Sequence, residues 1–228
     1  MGTERFLFAE STLLREDTNK TEQASIAVLP FADFSPKNDQ EYFADGFSEE
    51  ILNGLAKVEG LEVAGRTSSF QFKNKNRNLK AIADSLGVDN ILEGSVRKAG
   101  DQLRITAQLI RADNGFQVWT ETYDRSFSAE NIFQIQDDIS QQVLGQLKIR
   151  LLNSEKENGE QKRTTNTEAY QLFLKATSIE ASYNPADIKR AIELYNRAIK
   201  LDPQFALAYA RKAKALSLIH ISEPTRPY

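Results

Sequence analysis

The chain has 228 residues, of which 40% are hydrophobic and 27% are charged, and its formal net charge is -3 at pH 7. This composition is typical of globular proteins and excludes wholesale disorder, while the small negative charge gives no global basis for binding nucleic acid or an anionic membrane. There is no cysteine and one histidine, His220, which excludes disulfides, thiol nucleophiles, Cys/His zinc sites and triads that need an imidazole in the folded body.

The first segments predict a strand followed by a helix. Residues 1–24 lack sustained periodicity and are interpreted as an irregular leader. Ser25 to Phe31 is a short apolar run closed by Pro30, which is typical of a strand buried on both faces. The next apolar residues recur at helical spacing, and the helix that they predict ends at Gly60. They are Phe43, Phe47, Ile51, Leu55 and Val58.

A second strand and a second helix are predicted next. Leu61 to Gly65 has the pattern of a short strand, and Arg66 to Asn78 is expected to form a polar, basic loop. Leu79 to Leu86 predicts a helix that stops at Gly87, where a glycine is favoured after a helix C-terminus.

The stretch from Asp89 to Arg125 predicts three successive strands joined by two tight turns. Apolar and polar residues alternate in these runs, so one face of the sheet is expected to be buried and the other wet. The breaks at 99–101 and 113–115 carry Gly and Asn, which tolerate the positive φ of hairpin turns. The apolar set comprises Leu92, Val96, Leu103, Ile105, Ala107, Leu109, Phe116, Val118, Trp119 and Tyr123.

An amphipathic stripe after these strands predicts a longer helix. Its apolar residues are Ile132, Ile135, Ile139, Val143, Leu147 and Leu151. The element order is then β-α-β-α-β-β-β-α, an α/β fold in which helices cover a mixed sheet that includes a three-stranded antiparallel meander. We assign residues 25–152 to this domain and interpret the polar residues 153–167 as a linker.

Residues 168–219 predict an all-α segment of helical repeats. Ala191, Tyr195, Ala198 and Pro203 have the spacing of the second helix of a tetratricopeptide repeat. The first helix of this repeat contains Leu172, Ala176 and Ile179, and a second, partial repeat begins with Tyr209, Ala213 and Leu216. Residues 220–228 leave the pattern with two prolines. We expect them to be a non-native tail and the native chain to continue with further repeats.

Seven motifs between residues 25 and 125 resemble those of the TolB amino-terminal-like (FlgO-like) domain. They are SIAVLPF at 25–31, EYFADG at 41–46, RTSSF at 66–70, LGVD at 86–89, LEGSVR at 92–97, LRITAQLI at 103–110 and VWTETYDR at 118–125. The resemblance covers roughly residues 25–152. Proteins of this type commonly place the domain before tetratricopeptide repeats. Many also carry an upstream winged-helix or class III adenylate cyclase domain, usually followed by a membrane helix. The resemblance therefore implies a binding or sensory module of a bacterial signalling protein, with no catalytic residues to carry over.

The most suggestive local motif directly follows a predicted strand and consists of Arg66, Thr67, Ser68 and Ser69. Hydroxyls and backbone N–H groups at a strand end, backed by an arginine, can hold an anion or a phosphorylated ligand. The alternative is a solvated polar loop. Just beyond the motif, Phe70 and Phe72 either stack on a nucleobase or anchor the loop to the core.

Carboxylates near the start of the first predicted helix raise the question of a metal or acid–base site. They are Asp45, Glu49 and Glu50, with Asp33 nearby in the sequence. Acidic residues also favour helix N-termini for the dipole alone, and we prefer this second interpretation. No glycine-rich loop of Rossmann or P-loop spacing occurs. We therefore predict no catalytic residue, no metal ligand, no cofactor and no enzyme activity within the chain.

Two further sets of residues are candidates for contacts with proteins. Trp119 and Tyr123 lie on the same side of one predicted strand, where they form either an exposed aromatic surface or part of the core under a helix. The inner groove of helical repeats binds peptides, and the residues available there are Tyr170, Lys175, Lys189 and Arg190.

These observations predict a non-enzymatic module of a bacterial signalling protein. It would contact a protein or peptide through its helical repeats or sense a small anionic ligand, without direct binding to nucleic acid. Two alternatives stay open: an envelope- or flagellum-associated scaffold, and the regulatory portion of an adenylate cyclase whose catalytic domain lies outside this chain. A membrane tether would come from an upstream segment, which would make the chain extracytoplasmic; without one it would be cytoplasmic.

Overall fold

The computed structural model describes residues 23–75, 78–149 and 163–222. These residues form a mixed sheet of six strands and seven helices. The strands are β1 (Ala24–Val28), β2 (Ala32–Asp33), β3 (Leu61–Val63), β4 (Asn90–Ala99), β5 (Gln102–Arg111) and β6 (Gln117–Ser126). The helices are α1 (Glu41–Leu55), α2 (Arg66–Phe70), α3 (Leu79–Leu86), α4 (Ala129–Gln146), α5 (Thr167–Glu180), α6 (Pro185–Leu201) and α7 (Ala206–Ser222).

The sheet is parallel on one side and antiparallel on the other. Its strand order is β3-β1-β4-β5-β6, and β2 pairs with β4 beyond the end of β1. β1 lies parallel to both β3 and β4, whereas β4, β5 and β6 are consecutive antiparallel neighbours. The predicted mixed α/β fold is confirmed.

The antiparallel strands have one buried and one polar face, because alternate side chains of a strand point to opposite sides. The buried set, at most 1% exposed, comprises Leu92, Val96, Leu103, Ile105, Ala107 and Leu109. The opposite face carries cross-strand polar pairs, such as Thr106 with Thr122. Gly100 and Gly115 lie in the two turns with φ of 58° and 71°, which most other residues adopt only with strain.

Helices cover the two faces unequally. α1 and α4 lie over the buried face of the sheet and contribute apolar side chains to one large core, among them Phe43, Phe47, Ile51, Leu55, Ile132, Ile135, Ile139 and Val143. α3 lies on the other face, where a smaller cluster contains Leu29, Phe72, Ile82, Ala83, Ile91 and Ala112. The asymmetry leaves most of the polar face of β5 and β6 open to solvent.

The helical segment packs on the α/β domain and shares its core. α5 contacts both α1 and α4, α6 packs against α5, and α7 packs against α6. Ala191, Tyr195 and Ala198 on α6 are fully buried. Side chains of Asn166 and Asn184 accept hydrogen bonds from the first turns of α5 and α6, which fixes where these helices begin.

Three local features differ from the sequence-based expectations. α1 ends at Leu55 rather than at Gly60, and the residues between form turns. The first part of the expected loop is a short helix, α2, in which Ser69 N–H donates to Gly65 O at 3.0 Å. Ser and Thr favour turns over helices, so a loop was the natural prediction for this segment. β2 was not predicted because two residues carry no readable period.

The expected boundaries are covered only in part by the described residues. Residues 1–22, 76–77, 150–162 and 223–228 lie outside them, and these include nearly all of the predicted leader and most of the predicted linker. From the linker's end, Arg163 pairs with Asp137 of α4 at 2.5 Å.

α7 extends to Ser222, beyond the expected start of the tail. Within the described ranges, no helix combines the length and apolar character needed to cross a membrane.

Candidate functional site

A buried carboxylate joins the α/β domain to the helical segment. Glu49 of α1 is 5% exposed. Its Oε2 accepts a hydrogen bond from Arg66 Nε of α2 at 2.7 Å, and its Oε1 accepts one from Arg211 Nη2 of α7, also at 2.7 Å. Arg66 lies three residues beyond Val63, the carboxyl end of β3, whereas Arg211 belongs to α7 of the helical segment. One carboxylate thus holds an arginine from each part of the molecule.

A second buried carboxylate lies beside the first. Glu180, at the end of α5, is 4% exposed. Its Oε2 accepts a hydrogen bond from Tyr195 Oη at 2.7 Å, and its Oε1 lies 3.3 Å from Lys214 Nζ. Both carboxylates line one small cavity, whose full lining is Glu49, Arg66, Thr177, Glu180, Ala181, Tyr183, Arg211 and Lys214. We call Glu49, Arg66, Glu180, Arg211 and Lys214 the junction cluster.

The charges of the junction cluster are strongly coupled. Burial alone would lower the pKa of Arg211, but the charge and hydrogen bond of Glu49, together with the charge of Glu50, outweigh burial and raise it. Burial raises the pKa of Glu50, although Arg211, whose Nη2 lies 4.0 Å from Glu50 Oε1, opposes the rise. Burial also raises the pKa of Tyr195, with the neighbouring Glu180 adding to the effect. Arg211 therefore carries a positive charge, and the ionised forms of Glu49 and Glu50 are stabilised only while Arg211 stays beside them.

The four residues of the predicted anion site do not share one surface. Arg66 is bonded to Glu49, and its guanidinium carbon lies 4.2 Å from the centre of the Phe70 ring. Thr67 and Ser68 are exposed, while Ser69 is fully buried. Ser69 Oγ has no hydrogen-bond partner among the described residues. Arg66 acts here as the partner of a protein carboxylate, and anion binding by this motif stays a prediction.

The predicted peptide-groove residues are likewise separated. Tyr170 is fully buried and pairs through its hydroxyl with Gln136 of α4, so its assignment to a groove is corrected: it is a core residue, held there by a helix outside the repeat segment. Lys175 Nζ lies 6.0 Å from the centre of the Tyr42 ring, on the side of α1. Lys189 and Arg190 are exposed on α6.

The carboxylates considered for a metal or acid–base site already have partners in the protein: Glu49 and Glu50 lie next to Arg211, and Asp33 accepts two backbone hydrogen bonds. Asp45 Oδ2 lies 2.6 Å from Lys73 Nζ, which also pairs with Glu41 at 2.7 Å. Burial raises the pKa of Asp45, and Lys73 opposes the rise. In the described part of the chain, no group of three or more His, Cys, Asp or Glu side chains is placed to hold a metal ion.

Both aromatic residues of β6 pack against the large core, Tyr123 within it and Trp119 at its edge. Tyr123 is 6% exposed and its hydroxyl donates to Asp138 Oδ2 of α4 at 2.7 Å, whereas Trp119 is half-buried. Sequence reasoning missed Glu180, Arg211 and Lys214 altogether. The only available signal was that each is a charged residue near the apolar positions of a predicted helix, which does not identify a partner far away in the chain.

Residues 22–142 match the family described as HilA/YgeH-like transcriptional regulator, second domain. Over 199 residues the chain is 37% identical to a protein of Rhizobium meliloti (strain 1021) named "Putative adenylate cyclase 3". This match covers 87% of the chain and 33% of the relative, so the chain spans about a third of the length of that curated relative. The matched length exceeds the α/β domain, so the similarity includes part of the helical segment.

Two solved structures show partial likeness. Lipoprotein GNA1162 from Neisseria meningitidis is 18% identical, with a TM-score of 0.40, over 53% of this chain and 96% of the other. TolB from Acinetobacter baumannii is 14% identical, with a TM-score of 0.39, over 55% of this chain and 28% of the other. Both TM-scores are below 0.5, and nothing about this chain is argued from either structure.

Proposed function

This chain belongs to the HilA/YgeH-like transcriptional regulator family, whose second domain it contains, and from that premise we propose that it is a non-catalytic regulatory module of a bacterial signalling protein. Its helical segment would receive a protein or peptide partner, and its α/β domain would pass the change in position to an output domain elsewhere in a longer protein. The observation that carries the proposal is the junction cluster.

The junction cluster provides a physical basis for this transmission. Any displacement of α7 that separates Arg211 from Glu49 leaves a buried carboxylate with one cation instead of two. A buried carboxylate that loses one of its cations destabilises the protein. The position of α7 that keeps Arg211 on Glu49 therefore stabilises the present arrangement of α1 and α2, and that arrangement stabilises this position of α7. A partner that binds one position of α7 more tightly than another would shift this equilibrium.

The helical segment is the proposed receiving surface. The buried Ala191, Tyr195 and Ala198 support its assignment as a tetratricopeptide-type repeat. Lys189 and Arg190 are exposed on the same helix, α6, which suits a partner peptide with acidic residues. A small anionic ligand at the Arg66 motif is a secondary candidate, and direct contact with nucleic acid is not expected for a chain with a net charge of -3.

The identity to the rhizobial relative favours one output in particular. Since that relative is named an adenylate cyclase and this chain matches a third of it, we propose that the output is cyclic-nucleotide synthesis by a catalytic domain outside the 228 residues. The chain itself would then regulate the catalytic domain without contributing residues to its chemistry.

A chimeric protein tests this proposal. The matched segment of the rhizobial relative is replaced by this chain, and cyclic AMP formation is measured for the chimera, for the relative without the segment and for this chain alone. We expect the chain alone to form no cyclic AMP, and we expect the chimera's activity to differ from that of the truncated relative. Cyclic AMP formation by the chain alone, or equal activity with and without the segment, would contradict the proposal.

Two arginine variants of the chimera separate regulation from general damage. Arg211→Gln breaks the junction, whereas Arg104→Gln makes the same chemical change in an exposed pair with Asp124 on the polar face of the sheet. We expect Arg211→Gln to change cyclic AMP formation and Arg104→Gln to leave it unaltered. Thermal unfolding of both variants shows whether each remains folded at the assay temperature.

A further inference from the structure

β6 is an edge strand, since β5 is its only partner among the described residues. It runs for ten residues, Gln117–Ser126, and seven of these are exposed. An edge of this length presents backbone N–H and C=O groups that can pair with a strand from another molecule. Arg125 Nη1 of the same strand donates to the backbone oxygen of Asp124 at 2.9 Å, so this carbonyl is turned away from β5, and the Arg125 side chain has to leave it when a second strand pairs there.

The ladder with β5 shows which backbone groups point outward. Phe127 N–H donates to Asp101 O at 2.8 Å, so these residues form a hydrogen-bonded pair. Hydrogen-bonded and non-hydrogen-bonded pairs alternate along an antiparallel ladder. The odd-numbered residues of β6 after the bulge near Leu109 therefore bond to β5, and the even-numbered residues direct their backbone groups away from the sheet. Those residues are Thr120, Thr122, Asp124 and Ser126.

We propose that β6 pairs antiparallel with β6 of a second copy of the chain, about a two-fold axis at Tyr123. A residue that precedes Tyr123 by a given number of positions then faces the residue that follows Tyr123 by the same number of positions in the other copy. Thr122 faces Asp124 and Thr120 faces Ser126, so the outward backbone groups of both copies meet as hydrogen-bonded pairs. Tyr123 faces itself at a non-hydrogen-bonded position.

Charge complementarity supports this register. Glu121 and Arg125 are both exposed and point to the same face of β6. Within one copy they lie four residues apart along an extended strand, roughly 13 Å, which is too far for an ion pair. Across the proposed axis Glu121 of each copy faces Arg125 of the other, and directly opposite residues have Cβ atoms about 5 Å apart. The dimer thus contains two ion pairs that the monomer lacks.

The neighbouring residues on this face are complementary as well. Trp119 faces Phe127 of the second copy, and both side chains are only half-buried in the monomer. Aromatic pairs at facing positions stabilise antiparallel strands. Other registers lack these contacts: an axis at Glu121 places two glutamates opposite each other, and an axis at Thr122 places Glu121 opposite Tyr123.

Charge reversal provides the first test, with the 228-residue chain studied by analytical ultracentrifugation over a range of concentrations. We expect a dimer for the natural sequence. Glu121→Arg places like charges at both facing positions, and so does Arg125→Glu, so each weakens dimerisation by roughly tenfold or more. The double reversal restores opposite charges and the dimer. Because both residues are exposed, thermal unfolding of the diluted monomers should change little.

Disulfide cross-linking then tests the register. Because the 228-residue sequence contains no cysteine, any disulfide must involve the introduced residues. Thr120→Cys and Ser126→Cys occupy facing positions, where the Cα atoms of a hydrogen-bonded pair are about 5.5 Å apart and within disulfide reach. An equimolar mixture should form a mixed disulfide on mild oxidation, and neither variant alone should cross-link efficiently.

Three outcomes would overturn the proposal. The first is a natural chain that remains monomeric at all concentrations, as expected if another segment of the same chain or a different protein occupies the edge. The second is a dimer that is insensitive to either charge reversal. The third is a cross-link that forms as readily in one cysteine variant alone as in the mixture.

Discussion

Gly46 of α1 lies directly against Leu174 of α5. A Cβ atom added at Gly46 would come within 2.7 Å of Leu174 Cδ2 and 3.1 Å of Leu174 Cβ. The second distance matters more, since Cβ is fixed to the backbone of α5 whereas Cδ2 can rotate away. The missing side chain at Gly46 is therefore what lets the helical segment approach the α/β domain so closely.

We expect Gly46→Ala to lower the free energy of unfolding by about 1 kcal/mol or more, since the overpacking cost exceeds the gain in helix propensity. Gly54→Ala is the matched control in the same helix, because a Cβ there meets only Ser140 Oγ at 3.8 Å. The control should raise the unfolding free energy by up to about 1 kcal/mol, the usual advantage of Ala over Gly in a helix. Urea denaturation measures both, and equal effects of the two variants would show that the contact between α1 and α5 is not tight.

Removal of the Glu49 side chain leaves two arginines without their shared partner. Arg66 and Arg211 keep 25% and 17% of their side chains exposed, so water screens the remaining charges in part. We expect Glu49→Ala to cost about 2–3 kcal/mol of unfolding free energy, less than a fully buried broken pair. Glu130→Ala, at an exposed position in the first turn of α4, is a suitable comparison and should cost much less. If both variants lose a similar amount of unfolding free energy, the ion pairs of Glu49 contribute no more to stability than an exposed charge does.

The buried Asp45 predicts a distinct dependence of stability on pH. Burial raises the pKa of Asp45 above its usual 3.8, so the folded state binds a proton more readily than the unfolded state. The contribution of Asp45 to stability is therefore fully present below pH 3.8, the pKa in the unfolded state, and is lost as the pH rises through the higher pKa of the folded state. Asp45→Asn cannot titrate, so its stability relative to the natural chain should increase with pH across this interval. Urea denaturation at several pH values from about 3 to about 7 measures the difference, and a constant difference would contradict the assignment.

Elements with a strong local period could be predicted from sequence. Alternation across β4 and β5 separates the buried from the polar face, and Leu79 to Gly87 contains both the apolar positions and the glycine that ends α3 with a φ of 67°. These features depend on residues that are neighbours in the chain, so their patterns are visible in one sequence. The short α2 and β2 span too few residues to show a period.

The junction could not be predicted for a different reason. Glu49 and Arg211 are separated by 162 positions, and nothing in either local pattern indicates that the two helices meet. Tyr170 illustrates the same limit: its ring centre lies 4.5 Å from that of Phe133 of α4. The contact with Phe133 helps to bury Tyr170, although the sequence of its own helix predicts that Tyr170 faces an open groove.

Gly94 of β4 is expected to be the least tolerant glycine of the sheet. A Cβ at this position would overlap the backbone oxygen of Thr106 in β5 and lie 2.5 Å from Phe31 Cε2. The ring of Phe31 lies against the strand at this point. The backbone oxygen of Thr106 cannot move without breaking the ladder between β4 and β5. We expect Gly94→Ala to cost about 3 kcal/mol or more, measured by urea denaturation. Combination with Phe31→Leu separates the two obstacles: because the Thr106 oxygen remains, the double variant should recover little stability. Full recovery would identify the Phe31 ring alone as the reason that glycine is required.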